Sequence, residues 1–205
     1  MLQQVKRASK YRFYPTDEQA AELSRTLGCV RLVYNKALEE RTRAWYGEQR
    51  RLSYVQSSAA LTEWKKTEEL AFLAEVSCVP LQQTLRHLQT AFGNFFAKRA
   101  KYPRYKSRKK SRASAEYTRS GFTWRDGQLT LAKMSEPLDI RWSRPLPEGA
   151  VPTTVTVSRD SAGRWFVSML CDDRITPAPA TANAVGIDAG MTSLVTLSTG
   201  EKVAN

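Results

Sequence analysis

A chain of 205 residues with 41% hydrophobic and 10% aromatic content can fold as one or two domains with a real core, which excludes a disordered tail. Lys and Arg number 32 against 20 Asp and Glu, and the excess is local: residues 98–125 hold 11 basic groups and 1 acidic, residues 1–97 hold 14 and 10, and residues 126–205 hold 7 and 9. No apolar run approaches the roughly 18 residues that a membrane span requires, and MLQQVKRASKYRF lacks the apolar centre of a secretory signal, so no membrane partner is expected and the cytoplasm is the expected compartment.

From the start, Lys10-Tyr11-Arg12-Phe13-Tyr14 alternates basic and aromatic residues ahead of Pro15, the pattern of a short strand that a proline ends. Lys10 and Arg12 then share a side that faces water or a polyanion. Thr16-Asp17-Glu18-Gln19 is a helix start of the capping-box type, with two carboxylates at the positive end of the dipole. Leu23, Leu27, Val30, Tyr34, Ala37 and Leu38 form one apolar stripe, with Gly28 expected to break the helix in two. Arg31 and Asn35, four residues apart, pair with each other or meet a ligand. A second helical stretch runs through Leu61, Trp64 and Leu70 to Phe72-Leu73, preceded by hydroxyls that can cap it. From Pro80 a third helix carries Leu81, Leu85, Leu88, Phe92, Phe95 and Phe96 on its inner face. His87 has no second histidine or cysteine nearby and reads as a surface or packing residue. Cys29, Cys78 and Cys171 lie far apart without a C-x-x-C pair, so neither a disulfide framework nor zinc is expected.

Residues 98–112, KRAKYPRYKSRKKSR, hold nine basic residues: Lys98, Arg99, Lys101, Arg104, Lys106, Arg108, Lys109, Lys110 and Arg112. Tyr102, Tyr105 and, further on, Tyr117 are interleaved. Cations that displace counterions and rings that stack bases are what a polyphosphate groove requires, so a nucleic acid is the expected partner. Residues 128–131, 138–142, 151–158 and 164–171 read as four short strands, with Asp160-Ser161-Ala162-Gly163 as a hairpin turn. Joined by the N-terminal strand, they predict an α+β fold: a small antiparallel β-barrel into which the helices are inserted. Residues 172–183, with Pro177 and Pro179, read as a linker. A new domain is expected at Ala184, where AVGIDAGMTSLVTL forms an apolar strand carrying Asp188. A carboxylate in such a strand points to a cation or phosphate site.

Several of these pieces stand in a known order. Tyr14-Pro15 before a helix, GCVRLVYN at 28–35, Leu81-Gln82, Ala91-Phe92 to Phe95-Phe96, YPRYKSRKK at 102–110, TVTVSRD and GRWFVS within 154–168, and VGIDAGMTSL at 185–194 follow one another as in TnpB (OrfB) proteins. Across essentially all 205 residues the chain resembles the N-terminal half of this family of transposon-encoded RNA-guided DNA endonucleases, which is related to type V CRISPR effectors. The resemblance implies a wedge barrel from residues 1–15 and 103–175, a helical recognition lobe at 16–102, a linker at 176–183, and at 184–205 the first hairpin of an RNase H-like (RuvC) domain.

It also implies partners: a guide RNA and a target double-stranded DNA, with pairing reading sequence and the protein reading a short duplex motif beside the target. The motif readers fall near Tyr54, Ser58, Gln82 and Thr123. Gln82 is expected to contact adenine at two points, while Cys78 and Val79 stand where relatives can carry a lysine and an aromatic. Asp188 matches the first catalytic carboxylate, a ligand of Mg2+ in a two-metal centre whose other carboxylates lie beyond Asn205. Glu201, past the turn Ser198-Thr199-Gly200, is no substitute. The chain alone is therefore expected not to cleave DNA without the C-terminal nuclease half, in cis or as a second chain, and the apolar hairpin is expected to dock there. Two alternatives are a nuclease-dead RNA-guided DNA-binding protein acting as a repressor, and an actin-like ATPase or sugar kinase, whose first phosphate loop resembles Asp188-Ala189-Gly190-Met191-Thr192 but opens a longer domain.

Overall fold

Strand β1 (Gln3–Phe13) buries Ser9, Tyr11 and Phe13 and turns Lys10 and Arg12 outward, as its period-two alternation requires. In the computed structural model, which describes residues 3–147, 149–179 and 182–205, Pro15 separates this strand from helix α1 (Asp17–Glu48). The predicted capping box is formed: Gln19 N donates to Thr16 Oγ1, and Thr16 N donates to Gln19 Oε1, both at 3.2 Å. Gln19 Nε2 also donates to the carbonyls of Glu136 and Pro137 at 3.3 Å, which ties the helix start to the barrel.

The expected break at Gly28 does not occur, and α1 runs uninterrupted for 32 residues. Leu23, Leu27, Val30, Val33, Tyr34, Ala37 and Leu38 are all buried on one face, so tertiary packing on both sides of Gly28 outweighs the small local penalty of a glycine. Helix α2 (Tyr54–Trp64) has its own capping box from Ser53 and Gln56 and leads into a 3₁₀ turn, Glu68–Ala74. Helix α3 (Cys78–Phe96), capped by Ser77, buries Leu81, Leu85, Leu88 and Phe92. Phe96, expected on the same face, is 56% exposed: it packs on Phe92 and Phe95 at the outer edge of a ring cluster whose inner side is closed by Tyr102.

The strands are β2 (Ala113–Thr118), β3 (Phe122–Arg125), β4 (Gln128–Leu131), β5 (Ile140–Arg141), β6 (Pro152–Arg159) and β7 (Trp165–Ile175). The main sheet has the order β2-β6-β7-β1-β5, so the three helices are an insertion between β1 and β2. Chain flows from β2 through the short turn Arg119–Gly121 into the β3–β4 ribbon. Leu138 N donates to Leu129 O at 2.8 Å and Tyr14 N to Asp139 O at 2.9 Å, which joins the ribbon back towards β1 and curls the sheet into a half-barrel. Tyr11, Phe13, Tyr117, Leu129, Leu131, Val155, Val157, Val167 and Met169 fill it. Strands β2 and β3 were not anticipated; β2, ASAEYT, buries only Ala115 and Tyr117 and has little apolar alternation to read. Strand β7 runs on to Ile175, past the expected start of the linker at 172, and positions 180 and 181 of that linker lie outside the described residues.

Gln4–Asp173 form one compact unit, and a second takes the chain from Arg174 to Asn205. In the second, β8 (Ile187–Asp188), β9 (Val195–Leu197) and β10 (Lys202–Val203) pair in the order β10-β9-β8. The single strand expected over 184–197 is two short ones. Residues 189–194 loop between them, and Gly190 packs so closely that a Cβ there would lie 3.3 Å from Ser193 O.

A Cβ at position 28 would meet nothing within 4 Å. Gly28→Ala is therefore expected to raise stability by about 0.5–1 kcal/mol, the ordinary gain for a helix interior. A urea midpoint that moves down instead would contradict an unbroken α1.

Candidate nucleic-acid interface

The basic run does not lie free on the surface. Asn35, on α1, holds it by a two-point clasp: Asn35 Nδ2 donates to Lys106 O at 2.9 Å, and Lys106 N donates to Asn35 Oδ1 at 2.8 Å. Asn35 thus neither pairs with Arg31 nor points to solvent. The Lys106 ammonium lies over the Tyr34 ring, 4.3 Å from its centroid. Burial at this junction pushes the Lys106 pKa down and the Tyr34 pKa up.

Beyond the clasp the chain makes a closed turn. Lys110 N donates to Ser107 Oγ at 3.0 Å, Ser107 N to Ser111 Oγ at 2.9 Å and Ser111 N to Ser107 O at 3.1 Å, leaving Arg108, Lys109 and Lys110 exposed. With α1 and the β6–β7 turn this segment walls a groove of about 570 Å³. Arg31, Lys106, Arg108, Lys109, Arg112 and Arg159 line it against a single carboxylate, Asp160. Asp160 is already engaged, accepting from Arg164 N at 2.8 Å and Arg164 Nε at 2.7 Å. Six cations around one answered anion repel one another, and a polyanion relieves that repulsion. Gly28, on the groove wall, keeps the helix surface low.

Lys98, Arg99, Lys101 and Arg104 are exposed along the approach, as is Tyr105 at 59%, so that ring is open to a base. Two of the three expected stacking rings are corrected. Tyr102 packs edge-on against Phe92 and Phe95 with its hydroxyl 2.9 Å from Thr42 Oγ1, and Tyr117 is 2% exposed inside the barrel, where burial raises its pKa. Arg159 was not anticipated, since it lies far from the charge run and only the hairpin geometry carries it into the groove.

A second basic surface lies on the outside of β1. The Lys10 ammonium sits 4.1 Å from the Phe166 centroid and the Arg12 guanidinium 4.9 Å from that of Tyr14. Arg12 stands directly opposite Arg141 in the β1–β5 pair, a like-charge arrangement that is unfavourable until an anion answers it.

Tyr54, Ser58 and Gln82 meet in a recess of about 640 Å³ that Cys78, Val79, Gln83, Arg86, Thr118 and Ser120 also line. Gln82 Oε1 accepts from Tyr54 OH at 2.9 Å and from Ser58 Oγ at 3.1 Å, and the Arg86 guanidinium lies 4.7 Å from the Tyr54 ring centroid. Asp188 is exposed at the end of β8, opposite Thr196. Among the described residues no three His, Cys, Asp or Glu side chains cluster as a metal site. His87 lies on the surface, 3.1 Å from Glu116 Oε2.

Residues 1–50 match the family HTH_OrfB_IS605, described as a helix-turn-helix domain. Over all 205 residues the chain is 88% identical to a Streptomyces pristinaespiralis protein named "Putative RNA-guided DNA endonuclease", covering 51% of it; it is 32% identical over 194 residues to InsQ of Escherichia coli (strain K12), which bears the same description, covering 94% of this chain and 47% of InsQ. The chain belongs to the TnpB (OrfB) family. It spans about half the length of these two relatives. A chain of the Cas12f1-sgRNA-target DNA complex aligns over 98% of this chain and 57% of its own length, with 12% identity and a TM-score of 0.39. The stretch matched as helix-turn-helix is, in this TnpB chain, β1 followed by the single helix α1.

Of the four positions implied as TnpB motif readers, Tyr54, Ser58 and Gln82 come together, whereas Thr123 is exposed on β3 opposite Thr130 and does not line their recess. Thr118 and Ser120 stand there instead. Because Gln82 Oε1 accepts from both hydroxyls in this structure, a two-point contact to adenine requires Tyr54 OH and Ser58 Oγ to turn away from it.

Asn35→Ala removes both bonds of the clasp and is expected to lower stability by about 1–3 kcal/mol in urea denaturation. Replacing Arg108, Lys109 and Arg112 together by alanine should make the dependence of log K on log salt shallower by about 2 for a single strand, at roughly 0.7 per phosphate contact; an unchanged slope in gel-shift titrations would remove the groove from the interface.

Proposed function

We propose that this chain is the nucleic-acid-binding part of an RNA-guided DNA recognition protein, with a guide RNA held in the basic groove and a short DNA duplex motif read at the Gln82 recess. The observation that carries the reading is the groove itself: six cations, one carboxylate already bonded to Arg164, and a backbone fixed by Asn35. The names of the relatives, both RNA-guided DNA endonucleases, support the same reading. Mg2+ would be held by Asp188 and by carboxylates from elsewhere, in cis or on a second chain. One exposed carboxylate is not a two-metal centre, which requires several to hold two ions roughly 4 Å apart, so no cleavage step is assigned to these residues. The second unit leaves Val185, Ile187, Met191 and Leu194 exposed, which fits a hairpin that further nuclease chain covers.

The test is to purify the 205-residue chain, extract and sequence the nucleic acid that accompanies it, and incubate the complex with matched DNA and Mg2+. A structured RNA and binding without cleavage are expected. Absence of any RNA affinity would reject the reading, and metal-dependent cutting by this chain would reject its division of labour.

A further inference from the structure

A third feature lies away from the groove and the recess, where α1 and α3 end. Trp45 is 37% exposed, Tyr46 73% and Phe96 56%, and these are among the largest apolar surfaces that the unit Gln4–Asp173 turns to solvent. The Arg51 guanidinium is sandwiched between two of them, 5.4 Å from the Trp45 centroid and 5.0 Å from that of Phe96. Phe96 continues inward through Phe95, 5.3 Å away, to the ring cluster around Tyr102, so the outer ring is braced by a packed core. Glu48 is answered by Arg50 at 2.9 Å, and among the described residues no carboxylate pairs with Arg51. Lys98, Arg99 and Lys101 follow directly on Phe96 and are exposed.

Resting on the nucleic-acid reading above, we infer that Trp45, Tyr46, Arg51 and Phe96 form a platform on which unpaired nucleobases stack. Two helix C-termini meet here and neither carries a basic residue in its last turn, so the local field disfavours a phosphate on the rings themselves. A neutral, flat, polarisable group suits the rings and the guanidinium face, and the phosphates of the same strand reach Lys98, Arg99 and Lys101. Charge selects this occupant over a protein partner: the patch is apolar at its centre and cationic at its rim, and it borders the most basic stretch of the chain.

The experiment separates bases from phosphates. Binding of the 205-residue chain to an oligothymidylate and to an abasic strand of equal length is compared by fluorescence anisotropy. The unaltered chain is expected to prefer the strand with bases by about tenfold or more, the scale of base–aromatic stacking. Trp45→Ala, Tyr46→Ala and Phe96→Ala should each erode that preference while leaving abasic affinity within about twofold, and Trp45→Phe should retain most of it. Tyr46→Ala, at the most exposed ring, keeps the test open if a Trp45 variant fails to fold. A preference that survives all three variants would overturn the platform while leaving the basic groove standing. So would variants that change the sedimentation of the free chain and leave base preference intact, since the patch would then be a contact between copies. If neither strand binds the unaltered chain, the nucleic-acid reading falls and the platform with it.

Discussion

The clasp of Asn35 on the backbone of Lys106 is the constraint on which the interface depends. A run of nine cations in fifteen residues has every electrostatic reason to spread and stay mobile. Two hydrogen bonds from one side chain, with Lys106 laid over Tyr34, convert it into a wall at a defined distance from α1. Tyr102 anchors the upstream end by packing against Phe92 and Phe95, and the serine-bonded turn at 107–111 shapes the downstream end. Beside the cation–π contact of Lys106, the charge run is thus held in place by the neutral amide clasp, ring packing and serine hydrogen bonds, which salt does not screen.

Those neutral contacts are what the sequence conceals. The apolar stripes of α1 and α3, the Thr16 capping box, the β6–β7 hairpin and the charge run itself were legible, because each depends on residues close together in the chain. Asn35 to Lys106 spans 71 residues and Gln83 to Glu116 spans 33, and no local pattern announces either. Tyr102 and Tyr117 illustrate the same limit from the other side: a tyrosine among cations reads as a stacking ring, and only tertiary packing shows that both belong to the interior. Gly28 misled because a glycine's propensity is local while the burial that overrides it comes from partners on α3 and the barrel.

The basic surfaces and Asp188 belong to different units. The basic groove, the arginine pair on β1 and β5 and the Gln82 recess all belong to Gln4–Asp173. The stretch from Arg174 to Asn205 carries Asp188 on short strands with exposed apolar side chains. Asp188 is exposed on β8, and the metal role proposed for it requires further carboxylates.

The unbroken α1 has a consequence for spacing. Arg31 on the groove and Trp45 on the ring platform stand on one helix, fourteen residues apart, or about 21 Å at 1.5 Å per residue. A stacked strand rises about 3.4 Å per nucleotide, so this interval matches about six nucleotides. The helix between those two residues is continuous, so the proposed groove and the proposed platform are held at one fixed spacing along α1.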